Sequence, residues 1–252
     1  SDIENVIGSN SADTITGNSA DNVLNGKDGN DSILGGTGDD TLLGGIGDDT
    51  LVGGDDDDVL NGQADKDSLT GGNEDDEFVY SSGTDTIDGG AGDNTIRASD
   101  ETDAVSWAIT ASNAGTVSGT NGTATFSYIA NLIGGYGNDT FDFSDGVGVS
   151  GSIAGGSGTD WLDYSDYTST VTVDLANGTA TGTSGISDIE RINGGSVADT
   201  LTGDRNRNRI EGGAGNDTLN GGLWDDSLNG NGDADSLQGA DGDDTLLGGA
   251  GN

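Results

Sequence analysis

The chain reads Gly35-Gly36-Thr37-Gly38-Asp39-Asp40-Thr41-Leu42-Leu43 within a nine-residue repeat that decides its fold. The repeat has the form G-G-x-G-x-D-x-U-x, in which U is a large apolar residue. It runs ten times without a change of register from Gly8 to Arg97, and it returns from Gly194 to Leu247. A fixed short period of this kind predicts a solenoid of stacked coils.

Two positions of the repeat carry its chemistry. The eighth is always aliphatic or Phe, which predicts a buried apolar column. The sixth is Asp or its amide, and an acidic residue in nearly every turn points to a metal. In the first run the sixth positions are Asp13, Asn22, Asp31, Asp40, Asp49, Asp58, Asp67, Asp76, Asp85 and Asn94. In the second run they are Asp199, Asn208, Asp217, Asp226, Asp235 and Asp244.

The composition calls for a counter-ion. There are 46 acidic residues against 7 basic ones, a formal net charge of −39, and 30% hydrophobic residues. Such a chain would repel itself and stay disordered unless a multivalent cation neutralised it. The absence of Cys and His excludes thiolate and imidazole ligands, so hard oxygen ligands and calcium are favoured. Neither a nucleic acid partner nor membrane insertion is expected, since the charge is negative and no long apolar run occurs.

Three short cassettes, at 1–8, 127–134 and 187–194, resemble each other, and each leads directly into repeat units. Val6, Leu132 and Ile192 fall on the eighth position of the preceding unit, so each cassette begins a new run. We therefore divide the chain into a repeat run (1–97), a β-rich insert (98–126), a short degenerate run (127–163), a β-hairpin insert (164–186) and a repeat run truncated at its C-terminus (187–252).

The expected fold is all-β. Two units make one coil of 18 residues with a short strand on each side, so eighth-position residues form two facing columns. One column holds Ile15, Ile33, Leu51, Leu69 and Ile87, and the other Leu24, Leu42, Leu60, Phe78 and Ile96. A single layer of side chains does not offset the entropy of ordering each unit, because burying one Leu contributes only about 1.5–3 kcal/mol. Bound ions are expected to supply the difference.

Sixth-position carboxylates of successive coils, such as Asp31 with Asp49 or Asp217 with Asp235, are expected to share a cation with backbone carbonyls of the Gly-rich turns. The predicted acidic ligands are Asp13, Asp31, Asp40, Asp49, Asp58, Asp67, Asp76, Asp85, Asp139, Asp160, Asp199, Asp217, Asp226, Asp235 and Asp244. The predicted turn glycines are Gly26, Gly35, Gly36, Gly38, Gly44, Gly45, Gly47, Gly53, Gly54, Gly212, Gly213, Gly215, Gly221 and Gly222.

Units such as 35–43 and 212–220 resemble the RTX (repeats-in-toxin) calcium-binding nonapeptide. The resemblance implies a right-handed parallel β-roll with rows of calcium along its edges. It also implies a secreted or surface-attached bacterial protein that is exported unfolded and folds in external calcium. With each ion needing two intact turns, we expect roughly ten calcium ions.

Some units depart from the pattern. Asn22, Asn94 and Asn208 lack the charge, and the unit at 80–88 lacks the double glycine. Position four is Glu74 in one unit and Trp224 in another, and neither residue type readily adopts a positive φ. We expect these departures to weaken individual sites.

The function expected from these features is a non-catalytic, calcium-dependent structural or spacer region of an adhesin, surface layer or extracellular fibre. The alternative is an accessory calcium module of a secreted enzyme or polysaccharide-directed protein. Further candidate partners are a second copy bound end to end, and a surface glycan at Arg205, Arg207 and Arg209. We favour packing roles for Trp107 and Trp161 over sugar stacking, and we assign no catalytic pair to the acids near Tyr164. Positions three and five show no repeated Thr row, which argues against ice binding.

Overall fold

The computed structural model describes residues 4–98 and 101–251, and all their regular secondary structure is β-strand. Residues 1–3 of the first cassette, residues 99–100 of the first insert and residue 252 lie outside this described part. No helix of the described residues is long and apolar enough to cross a membrane. The all-β prediction is confirmed.

Most strands are three to six residues long. The first fifteen are β1 (Asn5–Ile7), β2 (Thr14–Thr16), β3 (Val23–Asp28), β4 (Ser32–Thr37), β5 (Thr41–Ile46), β6 (Thr50–Asp55), β7 (Val59–Ala64), β8 (Ser68–Gly72), β9 (Glu77–Val79), β10 (Gly83–Gly90), β11 (Thr95–Arg97), β12 (Ser106–Ala111), β13 (Ala114–Ser118), β14 (Gly122–Ser127) and β15 (Asn131–Ile133). The remainder are β16 (Thr140–Phe143), β17 (Ser152–Ala154), β18 (Trp161–Asp163), β19 (Thr172–Asp174), β20 (Thr179–Ala180), β21 (Gly185–Ser187), β22 (Arg191–Asn193), β23 (Thr200–Thr202), β24 (Arg209–Gly213), β25 (Thr218–Leu223), β26 (Ser227–Asn231), β27 (Ser236–Asp241) and β28 (Thr245–Leu247).

The first of two structural units comprises Ser1–Ser99 and Asn113–Ile133. Its strands alternate between two sheets, with orders β1-β3-β5-β7-β9-β11-β15 and β2-β4-β6-β8-β10-β14-β13. Neighbouring strands from β1 to β11 are parallel, and their register joins residues 18 apart, such as Leu24 with Leu42 and Ile33 with Leu51. The predicted coil of two nonapeptides is therefore confirmed in this unit.

The second unit comprises Asp100–Ser112 and Gly134–Asn252. Its strands form one series in the order β12-β16-β18-β22-β24-β26-β28, a second in the order β20-β19-β23-β25-β27, and the pair β17-β21. The 18-residue register returns in its repeats, where Leu201 pairs with Leu219 and Ile210 with Leu228. This unit is also a parallel solenoid over its repeat region.

The two predicted core columns of the first unit are buried, from 0% exposure at Leu24 to 6% at Ile15. In the second unit the eighth-position residues Leu201, Ile210, Leu219 and Leu228 are likewise buried. Leu246 differs, since it is 45% exposed on β28, whose described strand partner is β26 alone. A parallel strand covered on one side leaves its apolar residue partly in water.

Both predicted inserts contain a hairpin. Strands β13 and β14 pair antiparallel, as do β19 and β20. In each hairpin one strand also continues the parallel stack, because β14 pairs with β10 and β19 with β23. Phe126 on β14 therefore extends the column that ends at Ile87, so this hairpin adds to the core of its solenoid.

Non-glycine residues at position four keep the turn conformation of glycine. The φ values are 73° at Glu74, 76° at Trp224 and 79° at Asp56. Non-glycine residues at position four therefore do not change the backbone path of the turn. Their left-handed conformation instead reduces the stability of the folded chain. A left-handed non-glycine residue costs about 1–2 kcal/mol.

We expect Trp224→Gly to raise the free energy of unfolding by about 1 kcal/mol, because relief of the left-handed strain exceeds the entropy that glycine adds to the unfolded chain. The indole is 61% exposed, so its removal loses little packing. Denaturant unfolding in saturating calcium measures the change. The matched control is Tyr136→Gly, since Tyr136 is 63% exposed and is not among the described residues with positive φ. Equal destabilisation by both substitutions would contradict the strain argument.

Candidate calcium sites in the repeat turns

The sixth-position carboxylates lie inside the turns. Asp40, Asp58 and Asp67 are 1% exposed and Asp160 is fully buried. Asp31, Asp49, Asp76, Asp85, Asp139, Asp199, Asp217 and Asp226 are also buried, whereas Asp13, Asp235 and Asp244 are partly exposed. Charged side chains are seldom buried without partners. Each of the buried carboxylates therefore needs a hydrogen-bond donor, a proton or a cation at its oxygens.

In most turns one carboxylate oxygen of the sixth-position Asp, Oδ1, accepts a hydrogen bond from the preceding coil. The backbone N–H of Asp31 donates to Asp49 Oδ1 at 2.7 Å, and that of Asp40 donates to Asp58 Oδ1 at 2.8 Å. The same bond joins Asp217 to Asp235 at 2.9 Å. Successive sixth-position residues are therefore neighbours as expected, but each pair meets as carboxylate against backbone.

The other oxygen, Oδ2, is buried in many turns and accepts no hydrogen bond from the described residues. We call these the open turns; they contain Asp31, Asp40, Asp49, Asp58, Asp67, Asp76, Asp160, Asp217 and Asp226. An unsatisfied buried carboxylate oxygen is costly, and more so when ionised. These oxygens therefore require a cation or a proton.

In the open turns the first glycine of the unit leaves the space around Oδ2. A Cβ built on Gly35 would lie 2.4 Å from Asp40 Oδ2 and 2.7 Å from the carbonyl oxygen of Gly53 in the next coil. Gly26, Gly44, Gly53, Gly212 and Gly221 would likewise bring a Cβ within 2.1–2.4 Å of their own Asp Oδ2. A carboxylate oxygen and a carbonyl oxygen thus lie close together with no donor between them, which fits a hard cation such as calcium.

The remaining predicted glycines shape the turn. Those at the second and fourth positions adopt positive φ between 98° and 137°, and they are Gly36, Gly38, Gly45, Gly47, Gly54, Gly213, Gly215 and Gly222. Within residues 4–98 and 101–251, no group of three or more acidic side chains is arranged to hold a metal. An ion with two or fewer acidic side chains as ligands would complete its coordination with backbone carbonyls or water.

Burial also shifts the protonation of these carboxyls. It raises the pKa of Asp58, Asp67, Asp76 and Asp160 to about 7, and that of Asp49, Asp85 and Asp217 to about 6. The hydrogen bond from the preceding coil opposes the shift, while at Asp58 the carboxylates of Asp40, Asp39 and Asp56 add to it. Protons therefore compete with any cation for the same oxygens.

A second class of turn satisfies its own side chain; we call these the capped turns. Ser9 donates to Asp13 Oδ2 through its N–H at 2.6 Å, and this bond lowers the pKa of Asp13. The N–H of Gly135 donates to Asp139 Oδ2 at 2.7 Å, and that of Gly195 to Asp199 Oδ2 at 2.6 Å. Two amide side chains are capped in the same way, Asn22 by Asn18 and Asn208 by Asp204.

Fifth-position residues form a ladder that the sequence analysis missed. The N–H of Asp57 donates to Asp39 Oδ1 at 3.3 Å, and that of Asp75 donates to Asp57 Oδ1 at 3.0 Å. Here the side chain belongs to the earlier coil, so this ladder runs opposite to the sixth-position one. The recurrence of Asn and Asp at position five was the available signal, but we tested it only as an ice-binding row.

Glu190 was also missed. It occupies the sixth position of the third cassette, and its Oε2 accepts a hydrogen bond from the N–H of Asp160 at 2.8 Å. Burial raises its pKa, as it does for the aspartates. The alignment of Ile192 with the eighth position contained this signal, since the sixth lies two residues earlier.

Of the two tryptophans weighed for sugar contact, Trp107 is engaged in packing, while Trp161 is half-buried with the guanidinium of Arg191 5.7 Å from its ring centroid. Trp107 is fully buried and stacks on Phe141 with ring centroids 5.7 Å apart. Tyr164 is buried and donates to the carbonyl of Thr181 at 2.7 Å. Burial prevents the rings of Trp107 and Tyr164 from meeting a surface ligand.

In the basic group, two arginines are ion-paired within the chain. Arg207 pairs with Asp225 at 2.7 Å and Arg209 with Glu211 at 2.6 Å. These pairs reduce the positive charge that the group offers to an anionic glycan.

The fold and the turns together define a parallel β-solenoid whose Gly-rich turns gather carboxylate and carbonyl oxygens. The profile of the RTX calcium-binding nonapeptide repeat matches residues 7–42, 43–78, 80–106, 191–223 and 225–252. The chain belongs to this family, and the family implies calcium binding. None of the curated proteins is significantly similar to the chain.

Proposed function

We propose that this chain is a calcium-operated folding region that acts as a structural spacer in a larger secreted or surface-attached bacterial protein. The observation that carries the proposal is the pairing of a buried Asp Oδ2 with a glycine carbonyl oxygen in successive open turns, as at Asp40 and Gly53. Two acceptors without a donor between them destabilise the turn until a cation lies between them.

Charge and burial explain why the ion would control folding. A net charge of −39 opposes compaction of the metal-free chain. Calcium, when bound, supplies positive charge at the buried oxygens, and its binding free energy then becomes folding free energy. The chain's own residues contribute the two apolar columns, the Oδ1 hydrogen bonds between coils and the glycine-lined space.

The setting follows from the affinity of such sites. The calcium modules of extracellular proteins bind at about 10⁻⁴–10⁻³ M, and we expect the open turns to bind calcium in the same range. A chain that stays expanded at low calcium can be exported unfolded and become rigid outside the cell. The proposed bacterial and extracellular location rests on this argument and on the family.

Calcium titration of the chelator-treated chain tests the proposal. We expect circular dichroism to show a largely unstructured chain that gains β-structure cooperatively at about 10⁻⁴–10⁻³ M calcium. Magnesium at equal concentration is the control, and it is expected to act weakly because it prefers six ligands in a rigid octahedron and keeps its waters. Equal β-structure in excess chelator at neutral pH would refute the folding role.

A further inference from the structure

We propose that the open and capped turns differ toward calcium: open turns take an ion, whereas capped turns and the turn of Asn94 are satisfied by the chain's own donors. The inference rests on calcium being the ion, as in the proposed function. It predicts that a sixth-position Asp alone does not make a site, so that Asp13, Asp139 and Asp199 bind none.

The capping hydrogen bond satisfies the carboxylate oxygen that would otherwise need a cation. In the capped aspartates Oδ2 accepts the second-position N–H of its own turn, as Asp139 does from Gly135 at 2.7 Å, and in the capped amides Oδ1 does so. Asp139 Oδ1 already accepts the N–H of Val105 at 2.7 Å. Both oxygens therefore have donors, and calcium would have to displace one of them.

The orientation of the second-position peptide separates the classes. In open turns the second residue has positive φ, as at Lys27 (83°), Gly36 (129°) and Gln63 (76°). Ser9, Gly135 and Gly195 of the capped turns are not among the described residues with positive φ. Lys27 lies in an open turn and Gly135 in a capped one, although glycine adopts positive φ more readily than lysine. The φ angle of the second residue therefore distinguishes the classes, and its residue type does not.

The capped aspartates share one location. Asp13, Asp139 and Asp199 each lie in the first unit after a cassette. For two of them the coil before has no carboxylate at the matching position, since the N–H groups that meet Asp139 and Asp199 belong to Val105 and Val171. A turn without a matching turn on one side closes on itself, so each run begins with an ion-independent turn.

Asn94 shows how an amide replaces the ion. Its Oδ1 accepts the N–H of Asp76 at 2.9 Å, as an aspartate at this position would. Its Nδ2 donates to the carbonyl of Tyr128 at 3.1 Å, and a Cβ on Gly89 would lie near both of these atoms. In open turns two acceptors face each other at this place, whereas here one of them is a donor.

Counting calcium bound to the full chain tests the division. Native mass spectrometry at saturating calcium is expected to show one ion fewer for Asp58→Asn, one ion more for Asn94→Asp, and no change for Asp139→Asn or Asp199→Asn. Circular dichroism in the same buffer confirms that each variant is folded. Asn94→Asp keeps the test decisive if Asp58→Asn fails to fold.

Loss of an ion from Asp139→Asn or Asp199→Asn would overturn the division, and so would an unchanged count for Asn94→Asp. A wild-type chain that binds no calcium at all would instead refute the proposed function. The two failures are therefore distinguishable in one experiment.

Discussion

In chelator, lowering the pH from 8 to 5 is expected to fold the chain without calcium. Burial raises the pKa of Asp58, Asp67 and Asp76 to about 7 in the folded state, whereas an unfolded Asp titrates near 3.9. Between these values the folded state binds more protons, so stability falls as pH rises through 4 to 7 and is recovered on acidification. Circular dichroism should show most of the gain in β-structure between about pH 7 and 5.

The same protons should weaken calcium binding. Each site that must lose one proton should bind about tenfold less tightly per pH unit below 7. A control separates the buried groups from the general loss of charge. Replacing Asp58 and Asp76 by Asn should reduce the acid response, whereas replacing the exposed Asp55 and Asp93 by Asn removes as many charges but should preserve it, since neither contributes to the raised pKa of Asp58 or Asp76. Equal effects of the two pairs would assign the response to net charge.

The largest effect of a single substitution is expected from Gly45→Ala. Gly45 has φ of 128°, and a Cβ there would lie 1.6 Å from the carbonyl oxygen of Lys27 in the neighbouring coil. The atom in the way is backbone, so the two coils must separate. We expect a loss of at least about 4 kcal/mol, or failure to fold in calcium, measured by denaturant unfolding.

Two other glycines separate the causes of that loss. Gly146 has φ of 69° with nothing within 4 Å of its Cβ position, so Gly146→Ala should cost about 1–2 kcal/mol from strain alone. Gly185 has no strained φ and its nearest atom is 3.7 Å away, so Gly185→Ala should stay within about 0.5 kcal/mol of wild type. A Gly45→Ala variant no worse than Gly146→Ala would exclude the backbone clash.

The sequence was sufficient for the fold because its period fixes which residues meet. Ile33 and Leu51 are 18 residues apart, and any parallel coil of two units must pair them. The turn signals Asn121-Gly122 and Asn177-Gly178 indicate hairpins, and β13–β14 and β19–β20 form them. What the period could not give was the way in which the hairpin strands β14 and β19 join the parallel stack, since this depends on pairing with distant strands.

The candidate sites were predictable only in part. Every sixth-position Asp looks alike in sequence, yet Asp31 is in an open turn and Asp13 in a capped one. The difference is the φ of the second residue, and non-glycine residues occur in both cases, as Lys27 and Ser9. Backbone conformation at such a position is set by the neighbouring coils. The sequence of a single nine-residue unit therefore does not predict whether its turn is open or capped.

The opposed ladders give the first unit a mechanical property. Adjacent residues bond in opposite directions, because the N–H of Asp58 donates to Asp76 in the coil after it and that of Asp57 donates to Asp39 in the coil before it. Separating a coil from either neighbour therefore breaks both fifth-position and sixth-position hydrogen bonds. The force needed to detach a coil should be similar at its two faces. Each coil that unfolds under force would add 18 residues to the extended chain, or about 60 Å. The solenoid would therefore absorb mechanical work in steps of equal length.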